Sequence, residues 1–285
     1  LAFFAVLAEP AAVVASPDGA WRIELHARAL APGEPVRVLA RAEGEVAGLA
    51  LSFLTQAVAL APEGEPGRFA GWAAVPLDAT AGPGAVEVRW TVAGAQHRHA
   101  ATVPIERRTF PEQRLTVESK YVEPPPEVSR RIEEERGRLA ALWAGRERPS
   151  AALHPFVRPV PGKPTGTFGE RRFFNGEPRA PHPGLDLRAA EGTPVLAAGA
   201  GRVALAGDLY WTGGTVVLDH GDGLFTVYAH LSKVEVEEGA VIEAGKRIGR
   251  SGATGRVTGP HLHWGAKVGT IPVDPRALLD PRLFR

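Results

Sequence analysis

The sequence predicts a mostly β protein: an N-terminal immunoglobulin-like β-sandwich, a linker helix, and a C-terminal glycine-rich, barrel-like β-sheet domain. Three observations carry this reading. Alternating apolar and polar runs separated by Gly/Pro turns fill residues 20–107. One convincing helical pattern follows. From Gly162 onward short strand-like runs return, joined by glycine turns.

In the first part, WRIELHARA and VRVLARAEG alternate, LALSFLTQAVAL reads as a longer strand, and RFAGWAAVPL and AVEVRWTVAG follow. PEGEPG and AGPG punctuate them, and strands at this spacing suit a small sandwich. Trp21, Trp72 and Trp90 are expected in its core, and His26, His97 and His99 on its surface. Ahead of it, LAFFAVLAEPAAVVAS reads as the tail of a secretory signal, too short for the ~20 apolar residues of a membrane span. No later segment is long and apolar enough to cross a membrane, so export is expected.

RLTVESKYV reads as a further strand, stopped by Pro124, Pro125 and Pro126. In EVSRRIEEERGRLAALWAG, Val128, Ile132, Leu139, Leu142 and Trp143 fall near helical spacing, with Gly137 weakening the middle. Its charged face is expected to be solvated. Residues Pro155–Gly166 then form a stiff, proline-rich entry to the second domain. The chain thus divides into a leader-like remnant at 1–15, a sandwich at 16–107, a linker with a helix at 108–160, and a last domain at 161–285.

Lys and Arg number 33 against 32 Asp and Glu, a net charge of +1, so nothing global attracts nucleic acid or an anionic membrane. Cysteine is absent, which excludes disulfides and thiolate ligation and leaves any metal to histidine and carboxylate. GKPTG lacks the spacing of a nucleotide-phosphate loop.

Those metal-binding residue types cluster. In GPHLHWG, strand alternation sends His261 and His263 to one face and Leu262 to the other. HPGLD supplies His182 and Asp186; Pro183 and Gly184 argue for an extended or turned loop there. Two histidines and one aspartate leave a fourth tetrahedral position open for water, the pattern of a catalytic zinc. YAHLS adds His230, and an imidazole, titrating near ~6.5, suits proton transfer at neutral pH. His97 and His99 repeat the HxH pattern without a matching HxxxD and read as an exposed strand. His220, Asp219 and Asp222 are expected to serve a turn, Asp274 to pair with a basic residue, and Tyr210 and Trp211 either to line a groove or to pack.

HPGLDLRAAEGTPVLAAGAGRV, VVLDHGDGLFTVYAHLS and SGATGRVTGPHLHWG resemble the lysostaphin/LytM-type zinc endopeptidases of bacterial cell walls, over about Gly162 to Pro275. The resemblance implies that His182, Asp186 and His263 ligate one Zn2+ per chain. It implies too that His230 and His261 activate the water and steady the transition state. The substrates it implies are peptidoglycan peptides, with D,D cross-links favoured over polyglycine bridges, in the periplasm or cell envelope and with envelope protein partners. FFNGEPRAPH lacks the tyrosine that some relatives carry before the first ligand, which leaves that oxyanion donor without a counterpart here. The rivals are a non-enzymatic relative that binds the wall or division machinery through the same groove, and a phosphocarrier or lipoyl-like barrel.

Overall fold

The computed structural model describes residues 9–44, 46–116, 125–145 and 155–284, and the chain resolves into two compact units. One comprises Leu1–Arg108 with Asp280–Arg285, the other Thr109–Leu279.

The first unit is the expected two-layer sandwich. A five-stranded antiparallel sheet contains Ala12–Ala15, Trp21–His26, Pro35–Ala42, Arg68–Ala74 and Ala61–Pro62. A four-stranded sheet contains Gln56–Val58, Ala47–Phe53, Gly82–Val92 and Ala95–Ile105. Alternation builds the core: Trp21, Ile23, Leu25, Val36 and Val38 from one sheet meet Leu51, Phe53, Val86, Val88 and Val103 from the other.

Several expectations change here. LALSFLTQAVAL is a hairpin, broken at Leu54, whose φ of 54° turns the chain back. His26 is buried and bonded to Glu24. Trp72 is buried as expected, though on the outer face of its sheet, against Phe284 at 6.0 Å, and Asp280–Arg285, which the sequence placed in the last domain, groups with this unit. Trp90 is half-buried, with His97 stacked on it at 5.4 Å; His97 is exposed as expected, whereas His99 is half-buried, edge-on to Trp21 at 5.6 Å. Of the leader-like run, residues 1–8 lie outside the described residues, while Ala12–Ala15 pair with Arg22–Leu25 as the first strand. Most of RLTVESKYV also falls outside the described residues.

The second unit is built on a ten-stranded antiparallel sheet in which His261–Val268 lies between Gly184–Arg188 and Leu224–Val234. Along its long strands one face carries Val216, Leu218, Tyr228, Leu262, Trp264 and Ala266, all buried. The opposite face carries Leu205, Leu209, Val217 and Phe225, and onto it pack Leu139, Leu142 and Trp143 of the helix Ser129–Ala144. Trp143 meets Phe225 edge-on at 5.2 Å, Glu135 accepts from the Tyr210 amide, and Arg131 pairs with Asp208. The helix read as part of a linker is therefore an element of this unit, because its apolar stripe needs a sheet to cover it.

A small three-stranded sheet completes the unit. Glu112–Leu115 runs parallel to Arg171–Phe174, which turns back through Asn175 and Gly176 into Glu177–Pro178. Both turn residues have positive φ, 54° and 87°, as an Asn-Gly hairpin turn requires.

Candidate active site

Asp186 stands directly across from His263 in the strand pairing, so both side chains leave the same face of the sheet. His261, two residues earlier, leaves from that face too. Lys267, four residues further on, places its ammonium over Trp143, so the helix covers the far end of this same face. His182 arrives from the extended loop before the Asp186 strand, its amide bonded to the Glu170 carbonyl. Gly184 makes the approach feasible: a Cβ there would meet ring atoms of His263 at 2.7 Å.

His230 reaches the cluster by a different device. Ala229 is opposite His263, so plain alternation would send His230 to the other face. Its φ of 65° breaks the alternation and sets the imidazole 4.9 Å from His261 and 6.0 Å from His263, centroid to centroid. Left-handed backbone costs a branched-Cα residue about 1–2 kcal/mol. It is held here by two hydrogen bonds, from the His230 amide to Thr212 and from its Nδ1 to the Thr254 carbonyl, 2.8 and 2.9 Å.

Three histidines spend Nδ1 on main-chain carbonyls: His182 on Thr167, His230 on Thr254 and His261 on Gly259, at 2.8–2.9 Å. In the neutral ring each Nε2 is then a bare acceptor. His182 Nε2, His263 Nδ1 and Asp186 Oδ1 converge, with edges of 3.1, 3.2 and 2.9 Å. At most one proton, on His263, is available among these three acceptors. Their spacing suits a cation: a tetrahedron with ~2.0–2.1 Å bonds has edges of about 3.3 Å. Among the described residues these three form the group able to hold a metal ion. Two imidazoles and a carboxylate suit zinc and other first-row transition metals.

Burial alone would raise the Asp186 carboxyl, yet the His182 and His263 imidazoles beside it, His263 as the donor, hold it well below the usual carboxylate range. Burial pushes His230 down to about 4 and lowers His263 also, against the pull of Asp186. Burial thus favours neutral His230 and His263 beside a charged Asp186, and a metal is bound by neutral imidazole and ionised carboxylate.

The model of peptidase family M23 matches residues 180–275, which include all five residues of the cluster. A crystal structure assigned to peptidase M23 from Pseudomonas aeruginosa is 30% identical and covers 87% of this chain and 94% of its own, with a TM-score of 0.65. The chain belongs to peptidase family M23. Among curated relatives, the peptidoglycan DD-endopeptidase ShyA of Vibrio cholerae is 46% identical over 111 residues, 39% of this chain. The DD-carboxypeptidase/endopeptidase Mpg of Neisseria meningitidis is 42% identical over 100 residues, 35% of this chain. The matches span only 26% and 23% of the lengths of these two relatives.

Within this M23 chain the remaining candidates make contacts outside the metal cluster. His220 is buried between the Ala200 carbonyl and the Thr226 hydroxyl. Asp219 accepts from the Gly221 amide in the turn, and Asp274 pairs with Arg276. Tyr210 and Trp211 pack edge-on at 4.8 Å, and the Arg256 guanidinium lies over Trp211 at 4.2 Å. Sequence reading missed Arg172, whose Nη2 is 3.6 Å from Asp186 Oδ2. The Asn175–Gly176 turn signal was available to find it, because a hairpin there fixes which face Arg172 takes. Thr167 and Thr254 act through their carbonyls and leave no side-chain signal.

Proposed function

We infer that this chain is a zinc endopeptidase that hydrolyses peptide cross-links of peptidoglycan, D,D bonds foremost, as an exported protein of the periplasm or cell envelope. The observation that carries this is the convergence of His182, Asp186 and His263 beside a second histidine pair on one sheet face. The DD-endopeptidase activity in the names of the curated relatives supports the substrate class. No helix among the described residues is long and apolar enough to cross a membrane.

His182, Asp186 and His263 would hold the metal through Nε2, Oδ1 and Nδ1. Bound zinc supplies a Lewis acid that polarises the scissile carbonyl and brings the pKa of water to about 7. The chain's own contribution is proton traffic and orientation. His230 and His261, each with Nδ1 tied to a carbonyl, present Nε2 to take the proton of the nucleophilic water and to return it to the departing amine. Burial of the ligands excludes bulk water and strengthens each of these interactions.

Metal analysis of the purified chain and of His263→Ala, with digestion of isolated sacculi, tests the reading. Wild type should carry one zinc and release peptides; His263→Ala should lose both. Full zinc retention in that variant would defeat the ligand assignment. A zinc-loaded wild type inert on sacculi would favour the non-enzymatic, wall-binding reading.

A further inference from the structure

Beside the metal ligands lies a cluster of guanidinium groups that the proton chemistry does not use. Arg172 and Arg179 occupy opposed positions of the Asn175–Gly176 hairpin, where the Arg179 amide donates to the Arg172 carbonyl at 2.8 Å. Opposed residues share a face, and like charges placed so are destabilising. Arg256, in the loop leading to His261, lies near enough to both that, after burial, their charges are what lower its pKa. The neighbouring Arg171 shows how this hairpin treats a structural arginine: it takes the opposite face and pairs with Glu112. The carboxylate paired with Arg172 is Asp186. Its Oδ1 already serves His182 and His263, and its Oδ2 stands 3.6 Å from Arg172, beyond hydrogen-bonding length. Arg172 Nε is buried without a hydrogen-bond partner, and Arg179 makes no ion pair among the described residues.

We propose that Arg172, Arg179 and Arg256 form a carboxylate-binding subsite at the rim of the metal centre, selecting peptides that carry a free carboxylate close to the bond to be cut. The proposal rests on the endopeptidase reading for its substrate. A guanidinium fork matches a carboxylate in two parallel hydrogen bonds, which a peptide amide cannot reproduce. Trp211 carries the Arg256 guanidinium over its ring, 4.2 Å from the centroid. An anion there offsets the repulsion between the opposed guanidinium groups of Arg172 and Arg179.

The test compares a cross-linked peptide dimer bearing its free carboxylates with the same dimer converted to carboxamides, using the full zinc-loaded chain. Wild type should prefer the carboxylate form by about 10-fold or more in kcat/KM, mainly through KM. Arg179→Ala and Arg256→Ala should each bring that ratio toward one, and added salt should shrink it. Calorimetry with the uncross-linked product peptide and its carboxamide measures the same preference without turnover. Variants that keep the ratio, or that slow both dimers equally, would overturn the subsite. Equal cleavage of both dimers by wild type would overturn it too while leaving the endopeptidase reading intact. Selective binding of the carboxylate peptide with no cleavage of either dimer would have the opposite consequence.

Discussion

Removing the imidazole at position 230 changes two things at once, because His230 is a proposed acid–base group and also holds a Cβ-bearing residue in left-handed backbone. His230→Ala and His261→Ala should both keep the metal and lose about 10²–10⁴-fold in turnover. His230→Gly should lose the same activity yet be more stable than His230→Ala by about 1 kcal/mol, since glycine accepts φ of 65° without penalty. Denaturant midpoints of the three variants check this, and equal stability of the alanine and glycine forms would show that the strain is not there. Gly184 is the complementary case. A methyl group there would press on His263 Cε1 and Nε2 and on the Trp264 carbonyl, each at 2.7 Å. Gly184→Ala should therefore weaken metal binding by about 10-fold or more, read by competition with a chelator. Unchanged affinity would mean that the strand pair opens without moving the ligand.

At the level of elements, His220 joins three strands, with its ring between Ala200, just ahead of Gly201–Leu209, and Thr226 of Leu224–Val234. Burial pushes its pKa down to about 4, against the opposing pull of the Ala200 carbonyl. A depressed histidine means that the unfolded chain binds more protons once the pH falls below about 6.5. The stability tied to His220 is thus fully present above that pH and is lost as pH falls toward 4, on the order of 3 kcal/mol in all. His220→Asn should flatten the fall in stability between neutral and acid pH, and a variant with the wild-type pH dependence would sink the idea. The elements themselves were legible to different degrees. WRIELHARA and VRVLARAEG show the core by alternation, and HxH fixes the face of His261 and His263. Leu54 gives no warning of its hairpin, because a leucine with positive φ is selected by packing and not by propensity. His230 is visible as a residue in YAHLS, but its face is not, since a single left-handed residue reverses the alternation on which the reading depends. The convergence of His182 on His263 is likewise a tertiary fact, 81 residues apart in the chain.

On the scale of the whole molecule, the division of labour follows from where the apolar faces go. Every residue of the metal cluster and both flanking histidines lie in the unit Thr109–Leu279, whereas the sandwich offers HxH at His97 and His99 without a carboxylate ligand beside it. A fragment spanning 109–279 should therefore fold, bind zinc and hydrolyse soluble cross-linked peptides. The boundary suggested by sequence, near Gly162, cuts inside this unit. It removes the helix whose Leu139, Leu142 and Trp143 cover Leu205, Leu209, Val217 and Phe225, and it strips Glu112–Leu115 from the hairpin that carries Arg172. Uncovering a large aromatic and two leucines costs roughly 1.5–3 kcal/mol each, enough to consume much of a domain's 5–15 kcal/mol of net stability. A fragment spanning 162–279 should accordingly melt well below the longer one and expose apolar surface to a hydrophobic dye, while any zinc it holds should still require His263. Thermal melts of both fragments beside the full chain, with cleavage of soluble dimers and of intact sacculi, separate the contributions. Similar rates on dimers but slower digestion of sacculi by 109–279 would assign the sandwich to docking on the wall. Equal melting of the two fragments would show that the helix is a passenger on the sheet. A folded, zinc-loaded 109–279 inert on both substrates would place part of the catalytic machinery in the sandwich, against the partition argued here.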